Sequence, residues 1–298
     1  MQVESAGVGL PPTRNRGWFR LLHRRDQAKT ICVNEDNQPA PRHSDQKWPD
    51  RLWLVRHGQS AGNVARDAAE SARQPWIDIA TRDVDTPLSV LGEQQARALG
   101  RWFGALPGGI RPSAVLSSPY VRSLRSAELI VDGAGHLRPN LSIVADERLR
   151  EKEFGVLDRM TTFGIRQTYP MLSEQRQHVG KFYFRPPGGE SWCDVILRLR
   201  SVLDTLTREY SGQDVLIVGH QVIVNCFRYL FERMTETEVL GIDREADVPN
   251  CGVTYYEFDP AQGTKGKLVL RFANFVAPLV EGGAPVTSAP DVPAAPKS

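Results

Sequence analysis

The sequence predicts an α/β protein: a three-layer α/β/α sandwich around a mostly parallel, mixed sheet. Three observations lead there. "RLWLV" (51–55) and "DVLIVGH" (214–220) are unbroken apolar runs, the pattern of strands covered on both faces. Such runs alternate with amphipathic segments of helical period. The last two strand-like segments follow one another with no helix between them, which predicts an antiparallel pair.

Taken in order, "RLWLV" is the first strand. "PLSVLGEQQARALGRWFGAL" (87–106) has apolar residues at helical spacing, with Ser89 as its N-cap. "SAVLSS" (113–118) is a short buried strand, and Pro119 opens the helix "YVRSLRSAELIV". "LSIVADERL" (141–149) is a third strand. "SWCDVILRLRSVLDTLTREY" (191–210) is a long amphipathic helix capped by Ser191. "DVLIVGH" is the fourth strand, followed directly by the helix "QVIVNCFRYLFERM". "GVTYYEFD" and "KLVLRFANF" close the sheet through the turn-rich "PAQGTKGK".

These elements occupy residues 48–280 and form one domain without internal repeats. Residues 1–47 are polar, proline-containing and aperiodic, and are expected to be disordered. The Pro/Ala/Gly-rich residues 281–298 are expected to form a disordered tail. Within the N-terminal segment, "RNRGWFRLLHRR" (14–25) reads either as a short surface-binding helix or as a solvated basic stretch.

Composition narrows the function classes. The formal charge of +2 gives no bias toward nucleic acid. No apolar run reaches the roughly 20 residues of a membrane span, so no stable membrane insertion is expected. No signal-peptide pattern opens the chain. Cys32, Cys193, Cys226 and Cys251 are scattered, without metal-ligand or disulfide-framework spacing. Reduced thiols and a cytoplasmic location are the expectation, with no metal and no cofactor; the sequence is silent on oligomeric state.

In mostly parallel sheets, ligands bind beyond the carboxyl ends of the strands. The first strand ends in Arg56-His57-Gly58. The second ends in Ser117-Ser118-Pro119, with Arg122 in the next helical turn. The third leads to Glu147-Arg148-Leu149-Arg150-Glu151, and the fourth ends in Gly219-His220-Gln221. Singly, each residue has a structural reading: a packed histidine, a surface charge, a turn glycine. Together they suit a phosphoryl group. Arg forks match its oxygens in pairs, so Arg56 and Arg122 would hold it, with Asn63 adding an amide N–H. Among such cations a histidine is kept neutral, hence nucleophilic at neutral pH. A second histidine would stabilise charge on the moving phosphoryl. A carboxylic acid, Glu151, would protonate the departing alkoxide and then deprotonate water.

The pattern resembles the histidine phosphatase superfamily, which includes the cofactor-dependent phosphoglycerate mutases. The resemblance covers residues 50–276. "RHG" (56–58) matches the signature whose His becomes phosphorylated. "SSPYVRSLRSAE" resembles "SSPLxRAxQTAE", which puts the second phosphate-binding Arg on Arg122. "RLREKEFGVLDRMT" resembles the proton-donor segment. There the Glu precedes an aromatic-Gly pair by three residues, so Phe154-Gly155 selects Glu151 over Glu153. "VLIVGHQ" matches the strand carrying the second catalytic His, and "RPPGGESWCDVILR" looks like the Gly-Glu-Ser helix start of the phosphatase branch that includes the fructose-2,6-bisphosphatase domain. The resemblance implies a phosphoglycerate mutase-like fold and a metal-independent phosphatase acting on a small phosphorylated substrate. His57, Glu151 and His220 would be catalytic, and Arg56, Gly58, Asn63, Arg122 and Gln221 would bind substrate.

Departures shape the substrate. Gln59 replaces the Glu that mutases carry after RHG, and "VARDAAESARQPWIDIATRD" (64–83) replaces their short segment after the Asn. Both weigh toward hydrolysis. Asn225 stands where the bisphosphatase branch has an Arg for its sugar's second phosphate, which weighs against that substrate. "KFYFRPP" (181–187) is read two ways: as a specificity segment over the pocket, with Lys181, Arg185 and Arg166 reaching substrate, or as surface charge on an insertion. A mutase-type phosphoryl transfer and a non-catalytic phosphate-binding protein are the alternative functions.

Overall fold

A computed structural model describes residues 46–107, 110–135 and 141–288. The chain divides into two units, Met1–Ser44 and Asp45–Ser298. The first, with its basic stretch and Cys32, lies outside the described residues, as do 289–298.

The second unit is built on one six-stranded sheet of order β3-β2-β4-β1-β5-β6. The strands are β1 (Arg51–Arg56), β2 (Ala114–Ser117), β3 (Ile143–Ala145), β4 (Asp214–Gly219), β5 (Val253–Asp259) and β6 (Lys267–Phe275). β1 to β4 run parallel, while β5 and β6 add an antiparallel edge beside β1. This is the expected mixed α/β sheet. β1 lies inside it, between β4 and β5, and Leu52, Trp53, Leu54 and Val55 are all at most 1% exposed. Each contributes about 1.5–3 kcal/mol by burial. Trp53 stacks on Tyr255 with Phe103 edge-on to it, so β1 is held by side chains on one face as well as by its two ladders.

The helices are α1 (Ala61–Ser71), α2 (Val90–Ala105), α3 (Val121–Gly133), α4 (Thr162–Thr168), α5 (Pro170–Val179), α6 (Trp192–Glu209), α7 (Gln221–Glu232), α8 (Glu236–Glu245) and α9 (Ala277–Glu281). Ser89 caps α2 by accepting from Gly92 N–H, and Ser191 caps α6 by accepting from Asp194 N–H. α1 and α8 start on capping boxes, Ser60/Asn63 and Thr235/Glu238. Among the described residues no helix is long and apolar enough to cross a membrane. Cys226 and Cys251 are buried and Cys193 is partly so.

The folded chain runs past residue 280, where the sequence reading places a tail. Ala284 is buried, and Thr287 is pinned from two sides. Asn250 N–H donates to Thr287 O at 2.9 Å, and Gln95 Nε2 donates to Pro285 O and to Thr287 Oγ1. These contacts span more than 35 residues of sequence, so local composition gives no sign of them.

"KFYFRPP", read two ways from the sequence, is held by ion pairs and buried rings. Lys181 pairs with Asp243 of α8 at 2.6 Å, Arg185 pairs with Asp194 of α6, and Phe182 and Phe184 are buried. The segment docks onto helices by its aromatic rings, and neither Lys181, Arg185 nor Arg166 lines the pocket described next.

Candidate active site

The register of the sheet brings the strand ends level. Arg56 on β1 sits opposite Gly219 on β4, and His57 N–H donates to Gly219 O at 2.9 Å. His57 and His220, 163 positions apart in sequence, therefore leave adjacent strands side by side. Their ring centroids are 5.1 Å apart. Helices α1, α3 and α7 begin within a few residues of these strand ends, and helix N-termini favour an anion.

A pocket of about 730 Å³, counting the solvent space at its mouth, opens over these ends. Arg56, His57, Asn63, Arg122, Glu151 and Gln221 line it, together with Ser60, Arg66, Asp83, Phe154, Asp158 and Arg159. Gly58 and His220 do not.

His57 is almost fully buried. Its Nδ1–H donates to Gly58 O at 2.6 Å, which leaves the lone pair on Nε2. Burial, then the Arg122 and Arg56 cations, hold its pKa well below the ordinary histidine range. His220 is fully buried, and its pKa is also held well below that range, by burial first and then by Arg122, His57 and Arg56. Its Nε2 shares a 2.8 Å hydrogen bond with Ser118 Oγ. Its Nδ1 faces Glu151 Oε2 at 3.7 Å and makes no hydrogen bond among the described residues.

A depressed histidine pKa has a sign. The unfolded chain takes up these protons below about pH 6.5, and the folded chain does not. The two rings therefore contribute stability that is complete above about pH 6.5 and is lost as pH falls toward their folded values. In NMR spectra of the folded protein, the ring protons of His57 and His220 are expected not to titrate between pH 8 and about pH 6. A midpoint near 6.5 for either ring contradicts the geometry.

Arg56 donates through Nη1 to Gln221 Oε1 at 3.0 Å and to Val248 O at 2.6 Å. Gln221 in turn donates to Asp247 at 3.0 Å, so it steadies Arg56. The capping box orients Asn63. Its Oδ1 accepts from Ser60 N–H at 2.9 Å, which leaves the amide N–H₂ as the other end of the side chain.

Glu151 has no regular element to hold it, and a clamp from α6 does so. Arg198 and Glu190 form a bidentate pair, both largely buried. Arg198 also donates to the carbonyls of Arg148 at 2.5 Å and Glu151 at 3.2 Å. Glu190 accepts from Glu153 N–H and from Arg150. The Gly-Glu-Ser helix start thus reaches back across about 40 residues to fix the loop around Glu151.

Gly58 requires a correction. Its φ is not positive, and neither is that of Gly219, so a turn does not demand glycine at either position. Gly58 is needed for close approach: a Cβ there would lie 2.4 Å from Gly92 O, and a Cβ on Gly92 would lie 2.0 Å from Gln59 O. Gly58 N–H is bonded to Ser126 Oγ at 3.0 Å. It packs the motif loop against α2 and touches no ligand space. Gly58→Ala is expected to destabilise the protein by about 1–3 kcal/mol, read as a lower urea midpoint; an unchanged midpoint contradicts the close approach. Gln59 is likewise outside the pocket. Its Oε1 accepts from Ser89 Oγ at 2.8 Å, so its side chain serves the start of α2.

Sequence reasoning missed the outer wall. Segment 76–86 docks on the 159–161 loop through Ile77 N–H to Arg159 O and a bridge between Trp76 and Met160. It brings Ile77, Ile79, Thr81, Asp83 and Thr86 to the pocket. The available signal was "WIDI" (76–79), three of whose four residues are apolar inside an otherwise polar stretch. Among the described residues no group of three or more His, Cys, Asp or Glu side chains is arranged to hold a metal ion.

Comparison with known proteins agrees with this geometry. The family model of the histidine phosphatase superfamily (branch 1) matches residues 52–269. The chain belongs to the histidine phosphatase superfamily. Within the superfamily, it is 33% identical over 222 residues to the phosphoglycerate mutase-like protein AT74H of Arabidopsis thaliana, covering 68% of this chain and 72% of that one. It is 28% identical over 225 residues to a 6-phosphofructo-2-kinase/fructose-2,6-bisphosphatase of Caenorhabditis elegans, covering 72% of this chain. The match spans only 43% of that longer relative. Among solved structures, Bacillus stearothermophilus YhfR superposes with a TM-score of 0.60 at 26% identity, over 77% of this chain and 98% of that one. The superfamily holds both phosphatases and mutases, as these relatives' names reflect.

Proposed function

We propose that the protein hydrolyses small phosphomonoesters through a phosphohistidine on His57. The observation that carries this reading is the state of His57: buried between two arginines, with Nδ1–H bonded to Gly58 O and Nε2 left as a base. In the first step Nε2 attacks phosphorus in line. The N–P bond forms, the P–O bond to the leaving group breaks, and Glu151 gives that oxygen its proton. In the second step water attacks phosphorus, Glu151 takes the water's proton, and the N–P bond breaks to release phosphate and neutral His57. Arg56, Arg122 and the Asn63 amide stabilise the equatorial oxygens, where charge gathers in a loose transition state. His220 supports the same charge from behind His57. No step of this reading needs a metal or a cofactor.

Hydrolysis is favoured over mutase-type transfer by the pocket's charge. A mutase must retain a bisphosphorylated, strongly anionic intermediate. Here Asp83, Asp158 and Glu151 share the wall with Arg56, Arg66, Arg122 and Arg159. Desolvation, then the Asp83 charge, raises the Asp158 carboxyl from its ordinary value. Such a mixed wall suits one phosphoryl group better than two.

The test is a phosphate-release screen over phosphorylated sugars, acids and nucleotides, with His57→Ala as blank. A phosphoglycerate is included, with and without bisphosphoglycerate. Release that depends on His57 is expected. Equal release by both proteins contradicts the assignment. Interconversion of phosphoglycerates that requires the bisphosphate, without net release, would establish the mutase instead.

A further inference from the structure

The guanidinium of Arg122 is engaged on both edges. Its Nε donates to His57 Nε2 at 3.3 Å. Its other edge is held by Asp83: Nη1 lies 3.0 Å from Oδ1 and donates to the Asp83 carbonyl at 2.5 Å, and Nη2 donates to Oδ2 at 3.1 Å. Asp83 belongs to the one-turn 3₁₀ helix Asp83–Asp85, on the wall segment that replaces the family's short connection. The Arg122 side chain is 6% exposed and the Asp83 carboxylate 39%. Of the two partners, the carboxylate is therefore the one that can swing into water at little cost.

Both contacts sit where a phosphoryl group must go. Its oxygens need the Nη edge that Asp83 occupies. Its phosphorus needs the Nε2 lone pair that Arg122 Nε–H caps. One held guanidinium blocks both, and Asp83 holds it through its carboxylate as well as its carbonyl. A phosphomonoester carries nearly two negative charges and Asp83 carries one.

We propose that Asp83 is a specificity-determining residue: its carboxylate holds the arginine fork that the phosphoryl group takes, so binding is an exchange of anions. A phosphomonoester dianion wins that exchange, and a singly charged ester does not. The proposal rests on the phosphoryl-transfer reading above. It makes Asp83 a competitor of the ligand. A residue that only positioned Arg122 would act with the opposite sign.

Inorganic phosphate is titrated by calorimetry into the wild type, Asp83→Asn, Asp83→Ala, Asp158→Asn and Arg122→Ala. Both Asp83 variants are expected to bind phosphate about tenfold more tightly, in the range of ordinary coupling between competing ligands. Their preference for phosphate over singly charged dimethyl phosphate is expected to fall. Asp158→Asn takes a carboxylate from the same wall without releasing the Arg122 fork, and should tighten phosphate binding by less than the Asp83 variants do. In an Arg122→Ala background the Asp83 substitutions should have no further effect. Unchanged or weaker phosphate binding in the Asp83 variants overturns the proposal, and so does an equal gain in Asp158→Asn, which marks general electrostatics. Wild-type phosphate affinity in Arg122→Ala has a different meaning: the pocket is then not the phosphoryl site, and the functional reading fails with it.

Discussion

His57→Ala is expected to lower phosphatase turnover by on the order of 10⁴-fold or more, the scale of losing a covalent nucleophile. The reason lies in what surrounds the ring. Burial, then the Arg122 and Arg56 cations, depress its pKa, and Nδ1–H donates to Gly58 O, so the ring presents an unprotonated Nε2. No other side chain lining the pocket combines a nitrogen base with this placement. Truncating a buried ring also leaves a cavity, so loss of activity alone would not separate chemistry from folding. Phosphate binding separates them. Arg56, Arg122 and Asn63 remain in the variant, and inorganic phosphate should still bind within about tenfold of wild type. A variant that binds phosphate and turns over normally contradicts the assignment of the nucleophile.

Glu151→Gln is expected to have the second largest effect, and it depends on the leaving group. An alkyl alkoxide departs only with a proton, so alkyl phosphates should slow by about 10²–10⁴-fold. A nitrophenolate departs without one, so its first turnover should slow by less than about tenfold. Steady-state rates hide this difference, because water attack on the phosphoenzyme uses the same carboxylate. The comparison therefore belongs to the burst phase. With the aryl ester, the variant should release one equivalent of nitrophenol quickly and then stall. Equal burst losses on both esters would mean that Glu151 is not the leaving-group acid. Retention of the normal second phase would mean that it is not the base.

Much of the fold was legible because its strongest signals are local. β1 and β4 lie inside the sheet and bury successive residues on both faces, so each reads as an unbroken apolar run, and Ser89 and Ser191 announce their helices. α1 was harder to see. It starts just past the RHG motif with Ser60 as its cap, and that cap is completed by Asn63, a residue also read as a ligand. At the site, strand-end logic placed His57, His220, Arg56 and Arg122 near one another, and the parallel register supplies the reason: Arg56 and Gly219 are level.

What stayed hidden depends on contacts across long stretches of sequence. Glu151 owes its position to Arg198 and Glu190, about 40 residues on. Lys181 has the composition of a pocket lysine, but Asp243 lies within 2.6 Å of it. Thr287 reads as tail until Asn250 and Gln95 are seen on either side. Its role extends to the motif itself, because Asn250 Nδ2 donates to His57 O and Gln95 Oε1 accepts from Gln59 N–H. Residues 285–287 thus buttress the loop that carries His57. Gln59 marked a departure from the mutase pattern by type alone. Its side chain faces Ser89, so any bias toward hydrolysis comes from the wall formed by residues 76–86 and 158–159.

The central claim is a covalent phosphohistidine, and one measurement addresses it directly. The protein is mixed with an activated aryl phosphate, quenched in alkali within the first turnover, digested and mapped by mass spectrometry. Alkali is chosen because the N–P bond survives base and breaks in acid. The account predicts one phosphoryl group per chain, on the peptide containing His57, stable in base, lost in acid and absent from His57→Ala. Glu151→Gln should accumulate more of it than the wild type. Turnover with no adduct, or with an acid-stable adduct on a serine or threonine, would contradict the account.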